Sequence, residues 1–263
     1  MNQSQNFQPL ISDYRNYTFV AWLDISGFKE LMKKRNQAWL ALHHLYNQGF
    51  NSIKHHNDRS ELKIVGIFFS DSAVIFPRLE ETNNYVTAFE SLLNIIKNIN
   101  IDMVEQNWML TTTIAYGDME YRDRIEVSNI RKNQVIGNAY ITAVMAQEHE
   151  PKIIPGQCRI IIDDFPLQLK NSIKDMNYEF IKKRNNFDVK DDYYYFYWAL
   201  DNSNDYNSFE RVYLEIKNQY DEKINNLKNE MYVKYAKILK NRNYRLTEPS
   251  SEAGVLNSRS DEI

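Results

Sequence analysis

Two short apolar runs stand out along the chain, each with an aspartate at the edge of an apolar strand. One is Tyr17-Thr-Phe-Val-Ala-Trp-Leu-Asp24; the other is Ile64-Val-Gly-Ile-Phe-Phe-Ser-Asp71-Ser-Ala-Val-Ile-Phe76. Runs without polar alternation predict strands covered on both faces. The full pattern predicts strand 17–24, helices 27–34 and 37–55, strands 61–70 and 72–77, and helix 83–98. A strand at 109–116, a polar hairpin-like segment at 117–134 and a short helix at 139–148 follow. Strand 159–163, a helix-like stretch at 165–184 and a tyrosine-rich strand at 193–200 complete the series. Ser70-Asp71-Ser72 is predicted to be a tight hairpin turn. Strands alternating with helices, plus that hairpin, predict an α/β (α+β) fold: a mixed sheet with flanking helices, not an all-parallel one.

A long helix is predicted at 206–240. Its apolar positions are Phe209, Tyr213, Ile216, Tyr220, Ile224, Leu227, Met231, Tyr235 and Ile238, spaced 4, 3, 4, 4, 3, 4, 4, 3. The mean step is close to the 3.6 period of a straight helix, whereas a zipper repeats at 3.5. It is expected to pack on a globular surface, in its own subunit or across a dimer. The organisation expected is an N-terminal extension (1–16), a main domain (17–205), an amphipathic helix (206–247) and a disordered tail (248–263).

Length and charge narrow the functional classes. The 263 residues, 43% of them apolar, suffice for one large core with an appendage. A net charge of −3 supplies no basic field for nucleic acid or anionic membrane. No apolar run reaches membrane-span length and Met1–Asn6 has no signal-peptide pattern, so a cytoplasmic protein is expected. The single cysteine, Cys158, excludes an internal disulfide and is expected to be a half-buried small hydrophobe.

The aspartates hold the chemical interest. A carboxylate at the end of a buried strand is costly unless something pairs with it. Two of them on neighbouring strands make a site for hard divalent cations, the usual arrangement for chemistry at a phosphate. After Asp24 come Ile25-Ser26-Gly27-Phe28 and a helical pattern. Ser26 can cap that helix, Gly27 permits close backbone approach, and first-turn N–H groups would face an anion. The competing reading makes Asp24 a simple helix cap and Asp71 an ordinary turn aspartate. For Asp71 alone the turn reading is the stronger; taken jointly, the pair favours metal.

Phe19-Val-Ala-Trp-Leu-Asp24-Ile-Ser-Gly-Phe28 resembles the first metal-binding strand and turn of the class III nucleotidyl cyclases. Gly66-Ile-Phe-Phe-Ser-Asp71-Ser is similar to their second metal strand and hairpin. Thr112-Thr-Ile-Ala-Tyr-Gly117 resembles a later strand ending in a glycine turn. Val135-Ile-Gly137-Asn-Ala-Tyr-Ile-Thr-Ala143-Val-Met-Ala-Gln-Glu148 resembles the glycine-led helix that completes their site. Four of the seven glycines (Gly27, Gly66, Gly117, Gly137) fall in these segments, and the resemblance spans residues 17 to about 163. It implies two Mn²⁺ or Mg²⁺ ions per site, held by Asp24, Asp71 and the Ile25 carbonyl. It also implies backbone N–H groups of Ser26, Gly27 and Phe28 on the phosphates of a nucleoside triphosphate.

The departures from adenylyl cyclases are specific. The adenine-reading lysine and its partner aspartate fall on Ile67 and Gln134, and the transition-state asparagine and arginine on Ile141 and Met145. The stand-alone pyrimidine cyclases of Pycsar antiphage defence are more similar. They share the Phe-Ser-Asp-Ser turn and a helix pattern met here by Gly137, Ala139, Ala143 and Glu148. That resemblance implies a homodimer making cyclic CMP or cyclic UMP for a separate effector, with the 135–148 helix reaching the partner's site. Ile67 and Gln134 would lie at the base, Gly137 at the substrate, and Arg131, in the basic stretch Arg122/Arg124/Arg131/Lys132, would supply a phosphate cation; the competing reading of that stretch is a solvated loop. His43, His44, His55 and His56 are expected to be non-ligands. The run Tyr193–Trp198 is expected to be a half-buried strand. The alternatives are a non-catalytic cyclase-fold module that binds nucleotide or dimerises, and a metal-dependent phosphohydrolase without an identifiable base.

Overall fold

The computed structural model describes residues 13–32, 35–80, 84–106, 108–127, 130–175, 178, 180–183 and 193–200. Their order is β1 (Tyr14–Ile25), α1 (Phe28–Leu31), α2 (Arg35–Asn57), β2 (Ile64–Phe69), β3 (Ser72–Pro77), α3 (Tyr85–Glu105) and β4 (Leu110–Val127). Then come β5 (Ile130–Ile136), α4 (Asn138–Glu148), β6 (Cys158–Ile160), α5 (Leu167–Lys174), β7 (Ile181–Lys183) and β8 (Tyr194–Phe196). The strands form one mixed sheet in the order β2-β3-β1-β4-β6-β8-β7, with β5 on the distal half of β4. Among the described residues only the β4–β6 pair is parallel. The mixed α/β architecture expected from the sequence is present.

The central strand explains why its sequence does not alternate. Phe19, Ala21, Leu23 and Ile25 of β1 enter the large core beneath α2 and α3. Val20, on the other face, joins Val65, Ile67, Val74, Phe76 and Ala115 in a second cluster with Ala139 and Ala143 of α4. Both faces of β1 are thus buried, as its unbroken apolar run requires. α3 starts where the Asn84 side chain accepts the Val86 N–H at 2.8 Å and thereby caps the first turn.

Several elements differ from expectation. α1 is four residues, not the eight of 27–34. β2 starts at Ile64 rather than residue 61: the Asn57 amide takes both the N–H and the C=O of Ile64 at 2.8 Å, which closes the strand's start. β4 does not stop at Tyr116 but continues to Val127, and the polar segment 117–134 is its hairpin with β5. Arg122, Arg124, Arg131 and Lys132 therefore sit in paired strands, not in a solvated loop. Of the helix-like stretch 165–184, Leu167–Lys174 is helical with Asp175 as its C-cap, and Ile181–Lys183 pairs with β8 as a strand. Cys158 opens β6 and is fully buried, not half-buried; burial pushes its thiol far above its ordinary range and leaves it inert. Tyr195–Leu200 are likewise buried, with Trp198 donating its indole N–H to Gly156 at 2.8 Å. Among the described residues no helix is long and apolar enough to cross a membrane. The long helix at 206–240, the tail and most of the N-terminal extension lie outside the described residues.

Candidate functional site

Strand register brings the two aspartates together. Asp24 on β1 is paired with Ser72, the first residue of β3, and the Ser72 hydroxyl donates to its Oδ1 at 2.9 Å. Asp71 occupies the β2–β3 turn just before Ser72, and its carbonyl accepts the Ile25 N–H at 2.9 Å. The two carboxylates therefore share the corner where β1 ends and the hairpin turns. Asp24 faces the α4 side of the sheet, alongside Trp22 and Phe69, whose rings lie 5.3 Å apart.

Electrostatics at this corner are strained in one direction. The Asp24 carboxyl is raised to about 6, first by burial and then by the charges of Asp71 and Glu148, while the Ser72 hydrogen bond opposes the rise. Two acidic side chains, Asp71 and Glu148, thus bear on the Asp24 carboxyl. An all-oxygen, mutually repelling donor set fits a hard dication, so the residues present suit the Mn²⁺ or Mg²⁺ expected from the sequence. No set of three His, Cys, Asp or Glu side chains converges tightly enough among the described residues to form a preformed cage. Two carboxylates, carbonyls and a ligand's own oxygens would have to complete the coordination.

A stability prediction follows from Asp24. Its folded value lies above the ordinary 3.8, so the native state binds that proton more tightly than the unfolded chain. The associated stability is complete below the unfolded value and is lost as pH rises through about 6. After discounting for the solvent-screened part of the group it amounts to roughly 1–2 kcal/mol. Metal-free protein should therefore melt several degrees higher at pH 5 than at pH 7.5, and Asp24→Asn should flatten that difference. An unchanged pH slope in Asp24→Asn would show that other groups set it.

α4 approaches the Asp24 corner through small residues. Its buried side carries Ala139, Ala143 and Ala146, and the Thr113 hydroxyl of β4 donates to the Ala143 carbonyl at 2.5 Å. Its last turn ends at Glu148, beside Asp24. Arg159 of β6 fixes that end. Its buried guanidinium donates to the carbonyls of Ala146 (2.6 Å), His149 (3.3 Å) and Pro151, and to the Tyr195 hydroxyl at 3.3 Å. The Tyr193 ring lies under it, 4.3 Å away. A buried cation is tolerable here because the carbonyls at a helix C-terminus carry partial negative charge.

The other expected site residues divide into two groups. Ile25, Ser26, Gly27, Phe28 and Ile67 lie near the aspartates. The Ser26 N–H donates to the Met109 carbonyl at 2.9 Å and so is not offered to an anion, contrary to the sequence reading. Nor does Ser26 cap a helix: its buried hydroxyl has no hydrogen-bond partner. Gly27 has a positive φ of 72°, and among the described residues nothing takes the N–H of Gly27 or Phe28. Ile67 is buried on the same sheet face as Asp24, paired with Val74. The second group is remote. Gln134 pairs with Arg122 on β4 and Arg131 with Ile125, whereas Asp24 pairs with Thr111. Thr111 and Arg122 are eleven residues apart on one strand, roughly 35 Å at an extended rise. Gly137 lies between, against Asp118 and Met119. One chain does not bring Arg131, Gln134 or Gly137 to its own aspartates.

In the sequence Ser72 and Glu148 stand out only as members of matched patterns, and Tyr46 and Arg159 not at all. Ser72 was available as the residue following Asp71; the others needed tertiary placement. His43, His44, His55 and His56 lie on α2 with no metal-binding set around them among the described residues.

The fold has counterparts among solved structures. The chain superposes on the catalytic core of a rhodopsin-guanylyl cyclase with converted specificity in complex with ATPαS. The TM-score is 0.50 at 12% identity, over 72% of this chain and 97% of that one. It matches equally a dimeric guanylyl cyclase domain of the RhoGC fusion protein from the aquatic fungus Blastocladiella emersonii, with a TM-score of 0.50 at 12% identity, over 71% of this chain and 97% of that one. No family model and no curated protein matches the sequence. At this identity the likeness shows the fold: a nucleotidyl cyclase-like mixed sheet.

Proposed function

We propose that the chain is a nucleotidyl cyclase that converts a pyrimidine ribonucleoside triphosphate, CTP or UTP, to its 3′,5′-cyclic monophosphate and pyrophosphate. The observation that carries this is the corner joining Asp24 and Asp71, tied by Ser72 to Asp24 Oδ1 and by the Ile25 N–H to the Asp71 carbonyl, within a cyclase-like sheet. In the reaction the ribose 3′-hydroxyl attacks the α-phosphorus and pyrophosphate leaves. Asp24, Asp71 and the Ile25 carbonyl would hold two Mn²⁺ or Mg²⁺ ions, which supply charge stabilisation at the 3′-oxygen and along the triphosphate. The N–H groups of Gly27 and Phe28 serve the phosphates. Ser26 contributes through its hydroxyl alone.

The working unit is a homodimer. The distance along β4 between Asp24's partner and the Gln134/Arg131 hairpin supports a site assembled from two copies. Arg131 and Gln134 of a second copy then serve phosphate and base. Pyrimidine choice rests on Ile67 and Gln134: an apolar side chain and an uncharged amide replace the charged pair that reads adenine. The product would act in the cytoplasm on a separate effector in antiviral signalling. One observation favours the alternative of a non-catalytic nucleotide-binding or dimerisation module. Ile141 and Met145, which stand where cyclases place their transition-state groups, are apolar and exposed on α4.

The test is competition among ATP, GTP, CTP and UTP at equal concentration with Mn²⁺, followed by product separation. Cyclic CMP or cyclic UMP should dominate. Dominance of cyclic AMP or cyclic GMP would refute the pyrimidine reading, and no product from any of the four would favour the silent module. Sedimentation of the active species as a monomer would overturn the two-copy site.

A further inference from the structure

We propose that Tyr46 is a positioning residue for Asp71: from α2 it holds the peptide group that aims the Asp71 carboxylate. This rests on the cation-binding reading of Asp71. Tyr46 lies off the buried stripe of α2 formed by Ala38, Ala41, Leu45, Gly49 and Ile53. Its ring sits 5.4 Å from that of Phe68, and its hydroxyl donates to the Ser70 carbonyl at 3.1 Å. The helix thereby reaches past the end of β2 and grips the turn itself.

The turn needs such a grip. Ser70 and Asp71 are the two residues between β2 and β3, with Phe69 paired to Ser72. Ser70 has a φ of +51°, the only positive value at a non-glycine among the described residues, while Asp71 has none. Positive φ at the first central position alone marks a type II′ hairpin turn, where glycine is the ordinary occupant. A serine there is strained, and strain persists only where the surroundings hold it.

The peptide unit is planar. Fixing the Ser70 carbonyl therefore fixes the Asp71 nitrogen and Cα, and leaves the rotation about the bond between them to set the direction in which the side chain leaves. The peptide on the other side of Asp71 is held by the Ile25 N–H. Tyr46 and Ile25 between them constrain both planes flanking the carboxylate. A phenol is a donor at neutral pH, and burial and the Asp71 charge push this one further above its ordinary range.

The experiment is a Mn²⁺ titration of the nucleotide-free full chain, followed by calorimetry, with thermal melting as the fold control. Tyr46→Phe keeps the ring and removes the hydroxyl. It should weaken Mn²⁺ binding about five-fold, the scale of one net neutral hydrogen bond, with little change in melting. In an Asp71→Asn background the same change should have no further effect. Tyr46→Phe combined with Ser70→Gly should recover most of the loss, since glycine adopts positive φ without strain. Wild-type affinity in Tyr46→Phe, or an equal loss with and without Asp71, would overturn the positioning role. Unchanged binding in Asp71→Asn alone would instead bring down the cation reading, and the proposal with it.

Discussion

Asp71→Asn and Asp24→Asn should each lower cyclic nucleotide formation by roughly a thousand-fold or more, while the protein melts at an equal or higher temperature. The two effects have one cause. Asp24 is half-buried, and that burial, reinforced by the charges of Asp71 and Glu148, raises its carboxyl to about 6. Folding holds these groups together against repulsion, which is reasonable where a dication is to be bound and wasteful otherwise. Asparagine removes one charge but retains an oxygen for the Ser72 hydroxyl, so the hairpin tie survives. Loss of activity with retained or improved stability separates a cation ligand from a structural aspartate, whose removal would cost stability and leave the chemistry. Product assay and thermal denaturation on the same preparations decide it. Turnover within ten-fold of wild type in either variant would remove that aspartate from the reaction.

The aspartate corner was legible in the sequence because both residues interrupt apolar runs, and such an interruption is costly unless it has a use. The hairpin was legible for the same reason: two buried strands flank a three-residue polar break at Ser70-Asp71-Ser72. What could not be read was register. Nothing in the chain says that Ser72 rather than Ser70 meets Asp24; that is fixed by pairing across β1 and β3. The long arm of β4 was missed because Gly117 and the polar residues after it look like a turn. In the fold they continue the strand, held by β1 on one side and β5 on the other. Arg159 heads the apolar Ile-Ile-Ile run and looks like a strand's solvated start. It is buried because α4 delivers its carbonyl ends there. Ser26 looks like a cap by composition, yet its buried hydroxyl has no hydrogen-bond partner and its N–H is claimed by the Met109 carbonyl just before β4. Each miss is a tertiary partner overriding a local preference.

Gly137→Ala should destabilise the protein by about 2–3 kcal/mol or more in the absence of any nucleotide, lowering its melting temperature by roughly 5–10 °C. The residue was placed at the substrate on resemblance. The backbone gives it a steric task first. Its φ is +137°, where L side chains are rarely found, and it directly precedes the first turn of α4. A Cβ there would lie 2.2 Å from the Asp118 carbonyl oxygen and 2.8 Å from the Met119 Cα. Both are main-chain atoms of β4, so neither can turn aside as a flexible side chain would. The clash would push the helix start off the strand and break the hydrogen bond from the Asn138 N–H to the Asp118 carboxylate at 3.2 Å. The same displacement would propagate along α4, whose Ala139 and Ala143 are packed against the sheet with no exposed surface. Activity should fall with stability, because Glu148 and the exposed side of α4 move with the helix. If Gly137→Ala instead melts like wild type and only substrate affinity falls, the glycine serves the nucleotide directly, and α4 tolerates a shift that its close packing argues against.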